Sequence, residues 1–231
     1  MIAREAGFAI KVVRPPAQPG SLIPPGQGQL LVALTGTVRI EERSDGDTKV
    51  TQTNRHHRSG DLVPGQLWRI PNDAAWRMHS DDGAVVLQIS TSVPREQERS
   101  SDLFAMARRR VHVGPARLFG NEVLRVELSA GRGRLPGLAW VPWDHRAQGP
   151  EYAICLAGQW RARLRGDGSS WTGALEQGFL LRVPPGAPHN FAARSLLRPS
   201  VGLILTSLRR TPTGPVRKEA VQGFSPFIDR G

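Results

Sequence analysis

Two stretches of this chain repeat one order of apolar and polar positions. QLLVALTG at 29–36 and EYAICLAG at 151–158 are apolar runs that end in glycine, and a polar–apolar alternation follows each, at 37–42 and 159–165. An apolar run, a glycine and then a period of two predict a strand, a tight turn and a second strand. A second pair of blocks, GQLWRIPNDAAW at 65–76 and GFLLRVPPGAPH at 178–189, keeps the glycine, the arginine before the last apolar residue and the proline in register. Each copy then closes on an apolar strand and a hydroxyl pair: 85–89 with Ser90 and Thr91, and 201–205 with Thr206 and Ser207. The offset between copies falls by nine residues between the blocks, which predicts a longer hairpin loop in the first copy, around 45–58. His56 and His57 then read as solvated loop residues.

Many short strands punctuated by Gly and Pro indicate a sandwich or barrel, and the jelly roll is the all-β form that can hold a small site inside. The expected fold is all-β: two tandem jelly-roll barrels joined by a short linking helix. The expected boundaries are 1–93 for the first barrel, 94–110 for the linker with its helix within 95–108, 111–210 for the second barrel and 211–231 for an extended C-terminal tail. If Glu151 points inward, so do Ala153, Cys155 and Ala157, a small-residue face that leaves room for a cavity. Tyr152, Ile154 and Leu156 then point outward, as do Leu30, Val32 and Leu34 in the first copy. A strand apolar on both faces is covered on both, so the barrels are expected to pack as an internal pseudo-dimer.

Charge adds one decision. The net charge is +11, but lysine occurs only at Lys11, Lys49 and Lys218, and the arginines are spread along the chain. Without a recognition helix or RNA-binding motif, this argues against a specific nucleic-acid partner. A single cysteine, Cys155, excludes an internal disulfide and fits a reducing compartment. No apolar run is long enough to cross a bilayer and the first residues lack a secretory signal pattern, so a cytoplasmic protein without a membrane partner is expected.

The second copy carries the chemistry. Gly178, five residues, Pro184, one residue, Gly186, two residues and His189 match in full the second motif of the cupin family, and LLRVPPGAPHNF at 180–191 is similar to ChrR-like cupins. The first cupin motif is matched in part by His145, Glu151 and Gly158, with Ala147 where a second histidine would stand. The chain thus resembles a bicupin. The resemblance implies one divalent metal ion held by His145, Glu151 and His189, with Asp144, Gln148 or water in the lost position. Two imidazoles and a carboxylate suit non-haem iron first, with manganese, nickel or zinc as alternatives. The same residues read as plain structural groups would be hydrogen-bonded, with Arg146 or Arg182 as the partner of Glu151, because a carboxylate directed into an apolar barrel is costly unless paired.

In the first copy the corresponding positions hold Gln29, Ile23, Pro25 and Trp76. That barrel is expected to bind no metal, with Trp68 and Trp76 filling its core. Trp140, Trp143 and Trp160 flank the first motif and would either wall a substrate pocket or pack a core. Asp144, Tyr152 and Cys155 are the candidates for an additional acid or base. Two functions follow: a metal-dependent enzyme acting on a small-molecule substrate, dioxygenase before isomerase or cyclase, or a non-catalytic sensor of ligand or metal acting through a protein partner. A homodimer is compatible with either.

Overall fold

The computed structural model describes residues 3–5, 7–44, 56–94, 100–110, 115–131, 146–166, 169–194, 199–209 and 217–220. The chain divides into two compact units, Met1–Leu103 and Phe104–Gly231.

The first unit contains β1 (Ala3–Glu5), β2 (Phe8–Val13), β3 (Gly28–Thr35), β4 (Val38–Ser44), β5 (His56–Leu62), β6 (Gln66–Ile70), β7 (Ala74–His79), β8 (Val85–Thr91) and β9 (Ser100–Asp102). They form a six-stranded sheet in the order β1-β2-β8-β3-β6-β9 and a three-stranded sheet in the order β5-β4-β7, with every pairing antiparallel. Both sheets feed one core: Leu31, Ala33, Ile70 and Val86 from the first, Val38, Ile40, Leu62 and Trp76 from the second. Trp76 is buried in this core and Trp68 packs against it, as expected.

After helix α1 (Leu103–Arg110) the second unit repeats the plan strand for strand: β10 (Ala116–Gly120), β11 (Leu124–Gly131), β12 (Glu151–Ala157), β13 (Gln159–Gly166), β14 (Ser169–Glu176), β15 (Phe179–Val183), β16 (His189–Ala193), β17 (Ser200–Ser207) and β18 (Arg217–Ala220). Its sheets run β10-β11-β17-β12-β15-β18 and β14-β13-β16. The repeat and the all-β class are therefore as the sequence predicts. β3 and β12 are buried along nearly their whole length on both faces, as their continuous apolar runs require. Each is followed by a glycine at positive φ, Gly36 at 64° and Gly158 at 73°, where a side chain would be strained.

Two expectations are corrected. His56 and His57 belong to β5, where they pair with Ser44 and Arg43, so they are strand residues and not part of a loop that runs to residue 58. The linker is not one helix from residue 95: Ser100–Asp102 forms an edge strand against β6 before α1 begins. Within the segment expected to be an extended tail, Arg217–Ala220 is an edge strand on β15, occupying the place that β9 takes on β6. Among the described residues no helix is long and apolar enough to cross a membrane.

Candidate metal centre

Glu151 opens β12 between Val183 of β15 and Thr206 of β17. His189 opens β16 opposite Leu164 of β13. The turn that delivers His189 explains its motif. Ala187 N–H donates to the carbonyl of Pro184 at 3.3 Å, and Gly186, third in this four-residue turn, has φ of 73°. That is the pattern of a type II turn, with proline second and glycine third. Gly186 N–H also donates to Ala147 O at 2.8 Å, which ties the segment before β12 to the turn before β16 and so joins the two motifs.

The two side chains meet inside the barrel. His189 Nε2 lies 2.8 Å from Glu151 Oε1, and the residues are only 1% and 2% exposed. Thr206 donates its hydroxyl to Glu151 Oε2 at 3.1 Å. His189 Nδ1 lies 2.9 Å from the carbonyl of Ala187. A carbonyl only accepts, so Nδ1 carries a proton, and the Nε2–Oε1 contact needs a second proton shared between imidazole and carboxyl. The pair is a proton-holding unit with its histidine tautomer fixed from behind.

The donor set fits a metal ion. Histidine ligands ordinarily donate their remote N–H to a carbonyl or carboxylate, which is what Ala187 receives. Adjacent ligands of an octahedral ion with bonds of about 2.1 Å stand about 3.0 Å apart, so the observed separation needs only a few tenths of an ångström of opening to exchange the shared proton for a cation. Among the described residues no group of three or more His, Cys, Asp or Glu side chains assembles. His145 and Asp144 lie outside the described residues, as do Trp140 and Trp143. Gln148 is exposed and does not reach the pair, whereas Ala147 is buried.

Other candidates are placed elsewhere. Tyr152 is buried on the opposite face of β12 and its hydroxyl lies 3.4 Å from Arg182 Nε, with the guanidinium 6.0 Å from the ring centre. Arg182 thus serves Tyr152 rather than Glu151, and Arg146 is exposed. Cys155 lies four residues along β12 from Glu151, about 13 Å away. Its thiol, near the carbonyls of Ala157 and Gly158, is pushed up to about 12 by burial, and its place along the strand keeps it away from the pair. The inward face is not spacious: Trp160, Leu164, Leu175 and Leu181 fill it, with Phe191 packed alongside. A cavity lined by Trp160, Phe191, Ala153 and Gly202 has a volume of only about 10 Å³, roughly one water. Phe191 also flanks the site, its ring centre 5.4 Å from that of His189. Thr206 was visible in sequence only as half of a hydroxyl pair; its place opposite Glu151 is a matter of register.

The first unit shows the same positions with other chemistry. Gln29 occupies the place of Glu151, and its Oε1 accepts from Ser90 Oγ at 2.7 Å and Gln88 Nε2 at 2.9 Å, while its own amide donates to Gln27 O at 2.9 Å. Ser90 thus corresponds to Thr206. Trp76 occupies the place of His189, and the backbone of Ile23, which corresponds to His145, bridges to it in both directions. A buried carboxylate that sequence reading passed over, Glu42, lies on β4 opposite Trp76.

No family model matches this chain, and no curated protein does. Among solved structures it is similar to a cupin 2 conserved barrel domain protein from Leptotrichia buccalis, with a TM-score of 0.60 and 11% identity over 90% of this chain and 92% of that one. It is also similar to oxalate decarboxylase from Bacillus subtilis, a protein with Mn(II) centres, with a TM-score of 0.53 and 11% identity over 93% and 71% of the two chains. The two tandem barrels, with the full second motif on the turn that carries His189, have the cupin fold in its two-barrel form.

Proposed function

We propose that the second barrel binds one divalent metal ion, iron first and manganese, nickel or zinc as alternatives, through His145, Glu151 and His189, and acts on a small molecule as a dioxygenase-type enzyme. The observation that carries this reading is the buried Glu151–His189 pair, its two donor atoms 2.8 Å apart and its imidazole oriented from behind by Ala187 O. His145 joins the set by the repeat, because its counterpart Ile23 bridges to the counterpart of His189. Bound iron would supply an open coordination position for dioxygen or for a substrate carbonyl.

The chain's own residues do the rest. Thr206 holds Glu151 Oε2, leaving Oε1 directed at His189. Ala187 O fixes Nε2 as the inward nitrogen. Phe191, Leu164 and Leu181 keep the surroundings apolar, which strengthens every electrostatic contact at the pair.

One observation favours the second reading, a sensor of metal or ligand that signals through a protein partner: among the described residues, Trp160, Leu164, Leu175 and Leu181 fill the inward face of the barrel. Metal analysis of untagged protein reconstituted with iron, manganese, nickel or zinc tests the site, with one equivalent bound by wild type and none by His189→Gln. Absence of stoichiometric metal in folded wild type overturns both metal readings. Oxygen uptake with phenolic and diketone compounds by the loaded protein supports the enzyme, and a loaded protein without uptake supports the sensor.

A further inference from the structure

One strand of the second barrel turns a charged face inward. β11 pairs with β17, which pairs with β12, so Arg125, Thr206 and Glu151 stand in one row across three strands. Side chains directly opposite each other on an antiparallel ladder share a face. Thr206 donates to Glu151 Oε2 and Glu151 meets His189 inside the barrel, so Arg125 faces inward too. Glu127 and Ser129 follow it in the same phase, and Ser129 lines the small cavity that Trp160 and Phe191 also line. The other phase of β11, Leu124, Val126 and Leu128, is buried on the opposite face. β11 thus hides its apolar side away from the barrel interior and shows that interior an arginine, a glutamate and a serine, all half-buried.

The first barrel shows that the fold does not require this. There the row through Gln29 and Ser90 ends at Ala9 of β2, and the next inward places hold Lys11 and Val13. Val13 packs against the first core. Arginine in place of alanine, and glutamate in place of lysine, therefore belong to the barrel that holds the Glu151–His189 pair.

Neighbouring strands lie about 4.8 Å apart, so the Cα atoms of Arg125 and Glu151 are separated by about 10 Å across Thr206. The guanidinium is only partly engaged. Its Nε stands 3.4 Å from Glu127 Oε2, and that nitrogen, although shut off from solvent, has no hydrogen bond among the described residues. A guanidinium offers five donors in a planar fork that a carboxylate meets with two oxygens.

We propose that Arg125 is a subsite for the carboxylate of a small organic acid whose other end faces the Glu151–His189 pair, and that Glu127 holds the guanidinium in place until the acid replaces it. Glu127 also selects by charge. A singly charged carboxylate shares the arginine with it, whereas a doubly charged phosphate meets stronger repulsion at the same distance. That the subsite holds a carboxylate rests on Arg125 and Glu127; that it serves a reaction rests on the metal reading above.

Isothermal titration of acetate, pyruvate, malonate and benzoate, and of their amides, into the full-length protein tests this, with metal content counted on the same samples. Wild type should bind one or more of the acids and none of the amides. R125Q should lower that affinity by about tenfold or more, the worth of a hydrogen bond to a charged group, and keep the metal content of wild type. E127Q should act in the opposite direction and raise affinity by up to about fivefold, because the competing carboxylate is gone. K11Q, at the place of Glu127 in the first barrel, should change nothing. Absence of acid binding by wild type, an R125Q variant that binds as wild type does, or inorganic phosphate bound as tightly as the acids overturns the subsite. If R125Q does not fold, E127Q decides: an affinity unchanged or lowered in that folded variant counts against it. Metal uptake without acid binding overturns the subsite and leaves the metal reading, and acid binding through Arg125 without metal uptake does the reverse.

Discussion

The two barrels place different chemistry on the same ladder positions. In the first, Gln29 and Ser90 form a neutral amide–hydroxyl contact and Trp76 fills the adjacent space; in the second, Glu151 and Thr206 form a carboxylate–hydroxyl contact and His189 occupies that space. The hydroxyl on the neighbouring strand is common to both, so the fold requires a donor there whichever acceptor faces it. What differs is what each pair demands of its surroundings. The amide is satisfied by its neighbours alone, whereas the carboxylate and imidazole need a shared proton or a cation. The first barrel is thus a packed core built on the plan of a site, and the second a site enclosed in a packed core.

The widest separation of the two should come from truncating their central side chains. Trp76→Ala should destabilise the protein by about 3–5 kcal/mol, because a large buried indole leaves a cavity, and leave metal content untouched. Denaturant unfolding paired with metal analysis checks both halves, and a loss of metal would mean the first barrel is not a separate core. Next, Glu151→Ala in metal-free protein should cost about 3 kcal/mol or more, since it leaves a buried imidazole with half a pair. Gln29→Ala should cost about 1–3 kcal/mol, the desolvation of neutral partners. Equal costs would erase the proposed difference between the pairs.

Removing the shared hydroxyl should matter less. Thr206→Val and Ser90→Ala should each cost about 1 kcal/mol, but only Thr206→Val should weaken metal retention, as read by competition with a chromophoric chelator. The smallest effect concerns Cys155, which has a buried thiol where the first barrel has Ala33. Its folded value, about 12, lies above the usual thiol value of about 8.5. Its contribution is therefore fully present below about pH 8.5 and is lost as pH rises towards 12, because only the unfolded chain releases the proton in that window. Stability of wild type should fall more steeply with pH between those values than that of Cys155→Ala. Parallel curves would show that the thiol is better solvated than its burial implies.

Much of the fold was legible because the glycines at 36, 65, 158 and 178 mark left-handed turns at matching places, with φ between 64° and 86°. Apolar runs between them announced the buried strands. The edge strands were not legible: Ser100–Asp102 and Arg217–Ala220 are short and polar, and an edge strand needs no apolar face to pair. The start of β5 was missed for the same reason, since HHRSGD carries no strand signal apart from its partner β4. At the candidate site, the histidine and the carboxylate could be read directly from the motifs, but the places of Thr206 and Phe191 beside them arise from strands that meet only in the fold. Glu42 follows Val38 and Ile40 in the inward phase of β4, so its burial could have been read from alternation; its charge made it look like a surface residue.

Among the described residues, every ladder partner of the first unit's strands lies between positions 3 and 102, with β9 the last strand to join. A ribosome making this chain therefore releases a complete set of pairing partners for one barrel before any strand of the other emerges. The segment that follows, α1, then separates a finished barrel from a nascent one. Neighbouring repeats of one topology are exposed to strand exchange when both are unfolded together. Sequential emergence gives the first barrel time to close its ladder, so that β12 and β17 meet each other rather than the still unpaired β3 and β8.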